Sequence, residues 1–297
     1  MIVDLFLQTL VSTITQGSIL ALISIGMTLV YGTLRVLNMA QGAMVMLGGF
    51  AAFTTLQLAQ VPIWVALAVA ILVTFVLGVV TYFVAVKPLL GRVGVDFEMT
   101  AFISTFAAAT IIQNVVLLVY GPRQKPFDPV IPGLVQITGT VSITWHAILM
   151  NVVAIGSLAV LGLFLARSRY GLAITAVAQN LEAARLMGIP ARRVYAVTMG
   201  IGAALAGIAG VLLAPIYFVY PNAGDLPLLQ SLIVVIFAGL GSVRGTIYAA
   251  YIIGFIQSAV SIYWGTAYAL PVLYIIILVV LVIRPYGLAG KPQEARL

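Results

Sequence analysis

Residues 167–193 read RSRYGLAITAVAQNLEAARLMGIPARR, and the rest of the chain is best read outward from them. They form the one long polar interruption in a chain that is 63% hydrophobic and 7% charged. Five of the fourteen basic residues fall here, Arg167, Arg169, Arg185, Arg192 and Arg193, with a single acid, Glu182. From Ala173 to Met187, the residues Ile174, Val177, Leu181 and Ala184 recur at helical spacing on one side, which predicts an amphipathic helix. Gly188 stands where a C-cap glycine is expected, and Pro190 prevents an easy restart. The spacing describes a short helix between two membrane spans, with a basic rim and a shape that a soluble partner can grip. An ordinary cytoplasmic loop has the same spacing.

Outside this stretch the composition sets the class. Soluble domains carry roughly 25% charged residues, so this is an all-α integral membrane protein whose apolar runs suit helices of about 20 residues. The short alternating segments of a β-barrel are absent. With no cysteine in the chain, disulfides, thiol chemistry and thiolate metal sites are excluded. The opening MIVDLFLQTL lacks the basic leader of a signal peptide, so the first span is expected to be retained. The net charge of +7 sits between spans and follows topology rather than nucleic-acid binding.

Taking charges as boundaries predicts about nine spans, roughly 5–34, 38–59, 63–86, 99–120, 145–166, 194–219, 228–243, 245–264 and 267–283. The whole of 1–297 then forms one transmembrane domain, with 167–193 as a cytoplasmic loop and 121–144 as an extracytoplasmic one. This arrangement puts twelve of the fourteen basic residues inside and leaves only Arg123 and Lys125 outside. It favours an outer N-terminus and a cytoplasmic C-terminus. Merging the seventh and eighth segments across Gly241–Gly245 would give eight spans and spoil that asymmetry; eight or ten stay open.

Several spans carry polar or small residues. Gln16, Gly17 and Ser18 interrupt the first, which also holds Gly26 and Gly32. Asn38, Gln41 and Gly42 open the second. Amides facing lipid are costly, so these should face protein or a water-filled path. They are pathway candidates together with Gly239 and Gly241, and plain packing explains them equally well. Gly202, Ala206 and Gly210, with Ala203 and Gly207 one position on, form a small-xxx-small face for close helix contact. In the external loop, GPRQKPFDPVIPG is broken by proline and LVQITGTVSIT alternates as a small β-hairpin.

The chemistry available is narrow. Every acid falls in a predicted loop or terminus, so no span offers the carboxylate relay of a proton-coupled carrier. Sodium held by carbonyls and hydroxyls stays open. The sole histidine, His146, is expected as an interfacial polar residue at the start of the fifth span. Neither a metal site nor a Ser/His hydrolase has its parts, and no G-x-x-x-x-G-K-[ST] phosphate loop is present. A chain without an engine that presents a cytoplasmic helix reads as a membrane subunit driven through a partner.

Glu182, Ala183 and Ala184, with Gly188 four residues later, resemble the EAA–G coupling motif of ATP-binding-cassette importer permeases. The wider run AVAQNLEAARLMGIPARRV, with GIGAALAGIAGVLLAP after it, is similar to the LivH-type permeases of branched-chain amino acid importers. So are GSILALISIGMTLVYGTLRVLNMAQGAMVMLGGF near the start and FAGLGSVRGTIYAAYIIGFIQS with RPYGLAG near the end. Many relatives carry His and Glu where this chain has Gln41 and Ala43. The resemblance implies a permease fold of the vitamin B12 and ribose uptake class and residence in the bacterial inner membrane. It implies pairing with a homologous, LivM-type permease, two ATPase subunits that bind ATP and magnesium, and a periplasmic binding protein, with no cofactor on this chain. It further implies that Arg169, Tyr170, Gly171, Glu182, Ala183, Ala184, Arg185 and Gly188 couple to the ATPase. Other cargo (urea, short amides, other amino acids), an ATP-independent channel or carrier, and a membrane-embedded enzyme are the competing readings.

Overall fold

In the computed structural model, residues 2–91, 96–127, 133–138, 141–217, 219–284 and 287–289 are described. Arg92, Asp128, Lys291, Glu294 and Arg296, and part of the RPYGLAG stretch, lie outside them. The elements are α1 (Ile2–Leu34), α2 (Gln41–Ala52), α3 (Ile63–Thr81), α4 (Phe97–Tyr120), β1 (Leu134–Thr138), β2 (Val141–Thr144) and α5 (Trp145–Arg167). There follow α6 (Arg169–Gln179), α7 (Leu181–Leu186), α8 (Ala191–Tyr217), α9 (Asp225–Ala238), α10 (Val243–Tyr263) and α11 (Thr266–Ile283). Helices α2 and α3 each run on into a π-helical turn, Phe53–Leu58 and Tyr82–Val86. The hairpin forms as its alternation predicts, with Leu134 opposite Thr144 and Gln136 opposite Ser142.

The expected nine spans are met only in part. Among the described residues, six helices are long and apolar enough to cross a membrane: α1, α3, α4, α5, α8 and α10. Helices α9 and α11 are apolar but shorter, and α2 has 12 residues. The cause is local backbone. Helix α9 follows a turn at 221–224 and stops at Gly239, whose φ of +93° no helix continues through. Its 14 residues span about 21 Å, short of a hydrocarbon core of about 30 Å.

Lipid tails are as apolar as leucine, so helices in a membrane associate by close packing rather than by hydrophobic transfer. That explains why the small-residue face of α8 lies at the centre of the molecule. A Cβ added at Gly202 would sit 2.8 Å from the Gly26 carbonyl of α1, and one at Gly78 of α3 would sit 2.7 Å from the Met199 carbonyl. One at Gly210 would meet the Gly49 amide of α2 at 2.9 Å. Helices α1, α2 and α3 therefore all reach α8 at backbone distance. A similar seam joins α1 to α10, where a Cβ at Gly254 would lie 2.8 Å from the Gly17 nitrogen. Around this core, α4 and α5 leave large apolar side chains exposed, among them Phe106, Leu118, Val152 and Val160, as lipid-facing helices do.

Buried hydroxyls tie the helices together. Thr28 of α1 and Thr246 of α10, both fully buried, share a 2.8 Å hydrogen bond; Ser18 and Tyr251 share one of 3.0 Å. Asn151 of α5 donates to Thr15 at 3.0 Å. His146, expected at the interface, is instead buried, with Nε2 3.0 Å from the Leu212 carbonyl of α8. A carbonyl only accepts, so Nε2 carries the proton, and Nδ1 is left without a partner. It is a helix tie rather than a surface polar group.

Two outcomes test this packing. Gly202→Val should destabilise the detergent-solubilised protein by about 1–3 kcal/mol or prevent folding, because the Gly26 backbone cannot give way. It is measured by thermal aggregation on size exclusion. A double-mutant cycle of Thr28→Val with Thr246→Val should return a coupling of about 0.6 kcal/mol, the usual size for a hydrogen bond between membrane helices.

Candidate functional site

The predicted helix Ala173–Met187 is in fact two helices meeting at Asn180. Extended there (φ −152°, ψ 106°), Asn180 accepts from the Glu182 and Ala183 amides at 3.0 and 3.1 Å, capping α7 as it ends α6. An N-cap side chain satisfies two of the donors that a helix start leaves open. The reversal from α5 into α6 is sharp. Ser168 accepts from the Gly171 amide at 2.8 Å, and a Cβ at Gly171 would come 2.6 Å from the Leu165 Cα. That close approach is why position 171 is glycine.

Helix α7 ends in a complete Schellman motif. Ile189 donates to the Ala184 carbonyl and Gly188 to that of Arg185, both at 3.0 Å. Gly188 takes φ +79°, the left-handed geometry the motif requires and glycine supplies without steric cost.

The apolar stripe read from the sequence does face the core. Ile174, Val177 and Ala184 are buried against Val30, Leu34, Tyr82, Val194 and Met199, with Leu181 partly buried beside them. The two helices thus rest on the ends of α1 and α3 and the start of α8. Arg169, Tyr170, Glu182, Ala183, Arg185 and Gly188 are exposed, and Gly171 and Ala184 are not. The Arg185 guanidinium lies against the Tyr195 hydroxyl of α8.

The sequence motif does not include the large apolar residues that the site exposes most: Leu186 and Met187 are 89% and 83% exposed at the tip of α7. Their signal was present, as two large apolar residues off the buried stripe. Arg169 at the start of α6, Arg185 in α7, and Arg192 and Arg193 at the start of α8 are exposed, and Arg35, after α1, and Arg244, at the start of α10, stand at the same end of the bundle. Arg123 and Lys125 are at the other end, where Lys125 pairs with Val219 beyond α8.

The six pathway candidates do not converge. Asn38 is buried and its side chain accepts from the Ala40 amide at 3.1 Å. Gln41, fully buried, donates from Nε2 to the Gly202 carbonyl at 3.0 Å, and its Oε1 has no partner. A Cβ at Gly42 would sit 2.7 Å from the Gly224 carbonyl. Gly239 and Gly241 lie at the α6 end, Gly241 against Gly32. Gln16 alone lines an open cleft, between α1, the end of α8 and the start of α9. Asp225, expected in a loop, is the first residue of α9 and accepts from Gln113 of α4 at 2.8 Å.

Taken together, these features define a helical membrane permease: a buried small-residue seam, lipid-facing outer helices, and a capped helical elbow exposed at one end. The family described as the branched-chain amino acid transport system permease component matches residues 9–281, and the chain belongs to it. It is 33% identical to the high-affinity branched-chain amino acid transport system permease protein BraD of Pseudomonas aeruginosa, over 97% of each chain. It is 31% identical to the permease protein LivH of Salmonella typhimurium, over 97% of this chain and 96% of that one. A probable LivH from Methanocaldococcus jannaschii is 29% identical over 93% and 90%. Among solved structures, PsaBC from Streptococcus pneumoniae in complex with Fab aligns with a TM-score of 0.51 at 12% identity, over 95% of this chain and 92% of that one, a likeness of fold.

Asn180→Ala should free the first amides of α7 at a cost of about 1 kcal/mol. Amide exchange of residues 182–186 should accelerate roughly fivefold, with exchange in α8 unchanged.

Proposed function

We propose that this permease carries branched-chain, aliphatic amino acids into the cell, as one membrane subunit of an ATP-driven importer. The elbow α6–α7 faces the cytoplasm and sits in a groove of a partner ATPase. A second, homologous permease completes the membrane unit, two ATPase subunits supply the energy, and a periplasmic binding protein delivers the solute. The N-terminus lies outside and the C-terminus inside. Helices α2, α9 and α11, with the six long helices, make up nine membrane-embedded segments.

The observation that carries this reading is the exposed Leu186–Met187 tip on a helix capped at both ends. A large apolar pair held on a rigid turn next to Arg185 is the form of an interface anchor, not of a solvated loop. The segregation of basic residues to that end supports the cytoplasmic orientation. Substrate class rests on the names of the relatives, and an apolar interior suits an aliphatic cargo.

In the reconstituted complex, Leu186→Asp and Gly188→Trp should each lower ATPase stimulation by loaded binding protein by about tenfold or more, as loss of an interface anchor does. Membrane insertion should stay normal. Unchanged stimulation and uptake in both variants would overturn the assignment.

A further inference from the structure

The cleft holding Gln16 sits where the fold breaks a helix. Helix α9 ends beside the elbow, at Ala238, and its 14 residues rise only about 21 Å. Its start therefore falls short of the far face of a hydrocarbon layer about 30 Å thick, and the non-helical stretch from Val219, which pairs with Lys125, to Gly224 leads down to it. Irregular backbone at that depth is tolerated only where it is buried in protein or lines a watered cavity. Here part of it does line a cleft: Tyr220 of this non-helical stretch and Pro227 of the first turn of α9 face Leu20 and Ile23 of α1. Gln16 and Gln230 supply amides at the same cleft, and among the described residues no Asp, Glu, Lys, Arg or His lines it. Glutamine carries donors and an acceptor together.

Resting on the transport reading above, we infer that this cleft is the selectivity constriction of the translocation path. The Gln16 and Gln230 amides would exchange hydrogen bonds with the ammonium and carboxylate of a passing amino acid. Leu20, Ile23 and Pro227 hold its aliphatic side chain, which a polar side chain could enter only by leaving its own groups unpaired. Gln113, bonded to Asp225, braces the broken end of α9 from the α4 side.

The absence of cysteine makes a direct test available. Gln230→Cys and Leu20→Cys, each in the complete reconstituted complex, should react with a membrane-impermeant methanethiosulfonate from the binding-protein side. The rate should change about tenfold or more between nucleotide-free and ATP-trapped states. Val160→Cys, on the lipid face, should stay unmodified in both. Gln16→Leu and Gln230→Leu should lower leucine uptake about five- to tenfold while binding-protein-stimulated ATPase persists. Cysteine variants unreactive in both states, or leucine variants with wild-type uptake, would overturn the inference. If a leucine variant fails to fold, Gln230→Asn and the labelling decide in its place. If the wild-type complex moves no amino acid, the transport reading fails, while state-dependent labelling still reports on the cleft.

Discussion

The approach of three backbones to one helix is the constraint on which the rest of the structure depends. In lipid, an interhelical contact has little hydrophobic drive, and stability comes from dispersion at short range. The stretch of α8 from Met199 to Gly210 meets this demand by removing side chains where α1, α2 and α3 arrive. Gln41 exploits the same closeness, since its amide reaches the Gly202 carbonyl only because the helices are so near. A polar residue that looks like a channel lining thus becomes part of the adhesion.

That packing also determines what the elbow can do. Helices α6 and α7 are not appended to the bundle; their buried stripe shares a cluster with Val30, Tyr82, Val194 and Met199. A force on the tip of α7 is therefore applied directly to the first turns of α8. Helix α8 has 27 residues, about 40 Å, and its far end at Tyr217 borders the cleft. One rigid element links the two ends, and tightly packed interiors transmit displacement rather than absorb it.

Much of this was legible in the sequence, for definable reasons. Hydropathy located each apolar segment, and Gly188 announced a helix stop because a Schellman turn demands a residue at positive φ. The hairpin followed from its alternation. Span lengths were less legible: the turn at 221–224 and the stop at Gly239 lie inside apolar surroundings that a hydropathy window smooths over. Asn180 broke the elbow helix because an N-cap bond competes well with helix continuation, and a periodicity count does not weigh that. The burial of His146 depends on a carbonyl of α8 far along the chain, and Gln230 and Gln16 come to line one cleft only through the fold. Leu186 and Met187 were readable in principle, as apolar residues on the wrong side of an amphipathic stripe.

Beyond α11 the chain turns back onto α9. Leu288 and Ala289 donate their amides to the Phe237 and Ala238 carbonyls at 2.8 and 2.9 Å, and Gly287 packs against the backbone of Gly239. Those carbonyls belong to the last turn of α9, where acceptors have no partner within the helix. During synthesis, α9 therefore enters the bilayer with its terminal acceptors unserved, and only residues made after α10 and α11 complete it.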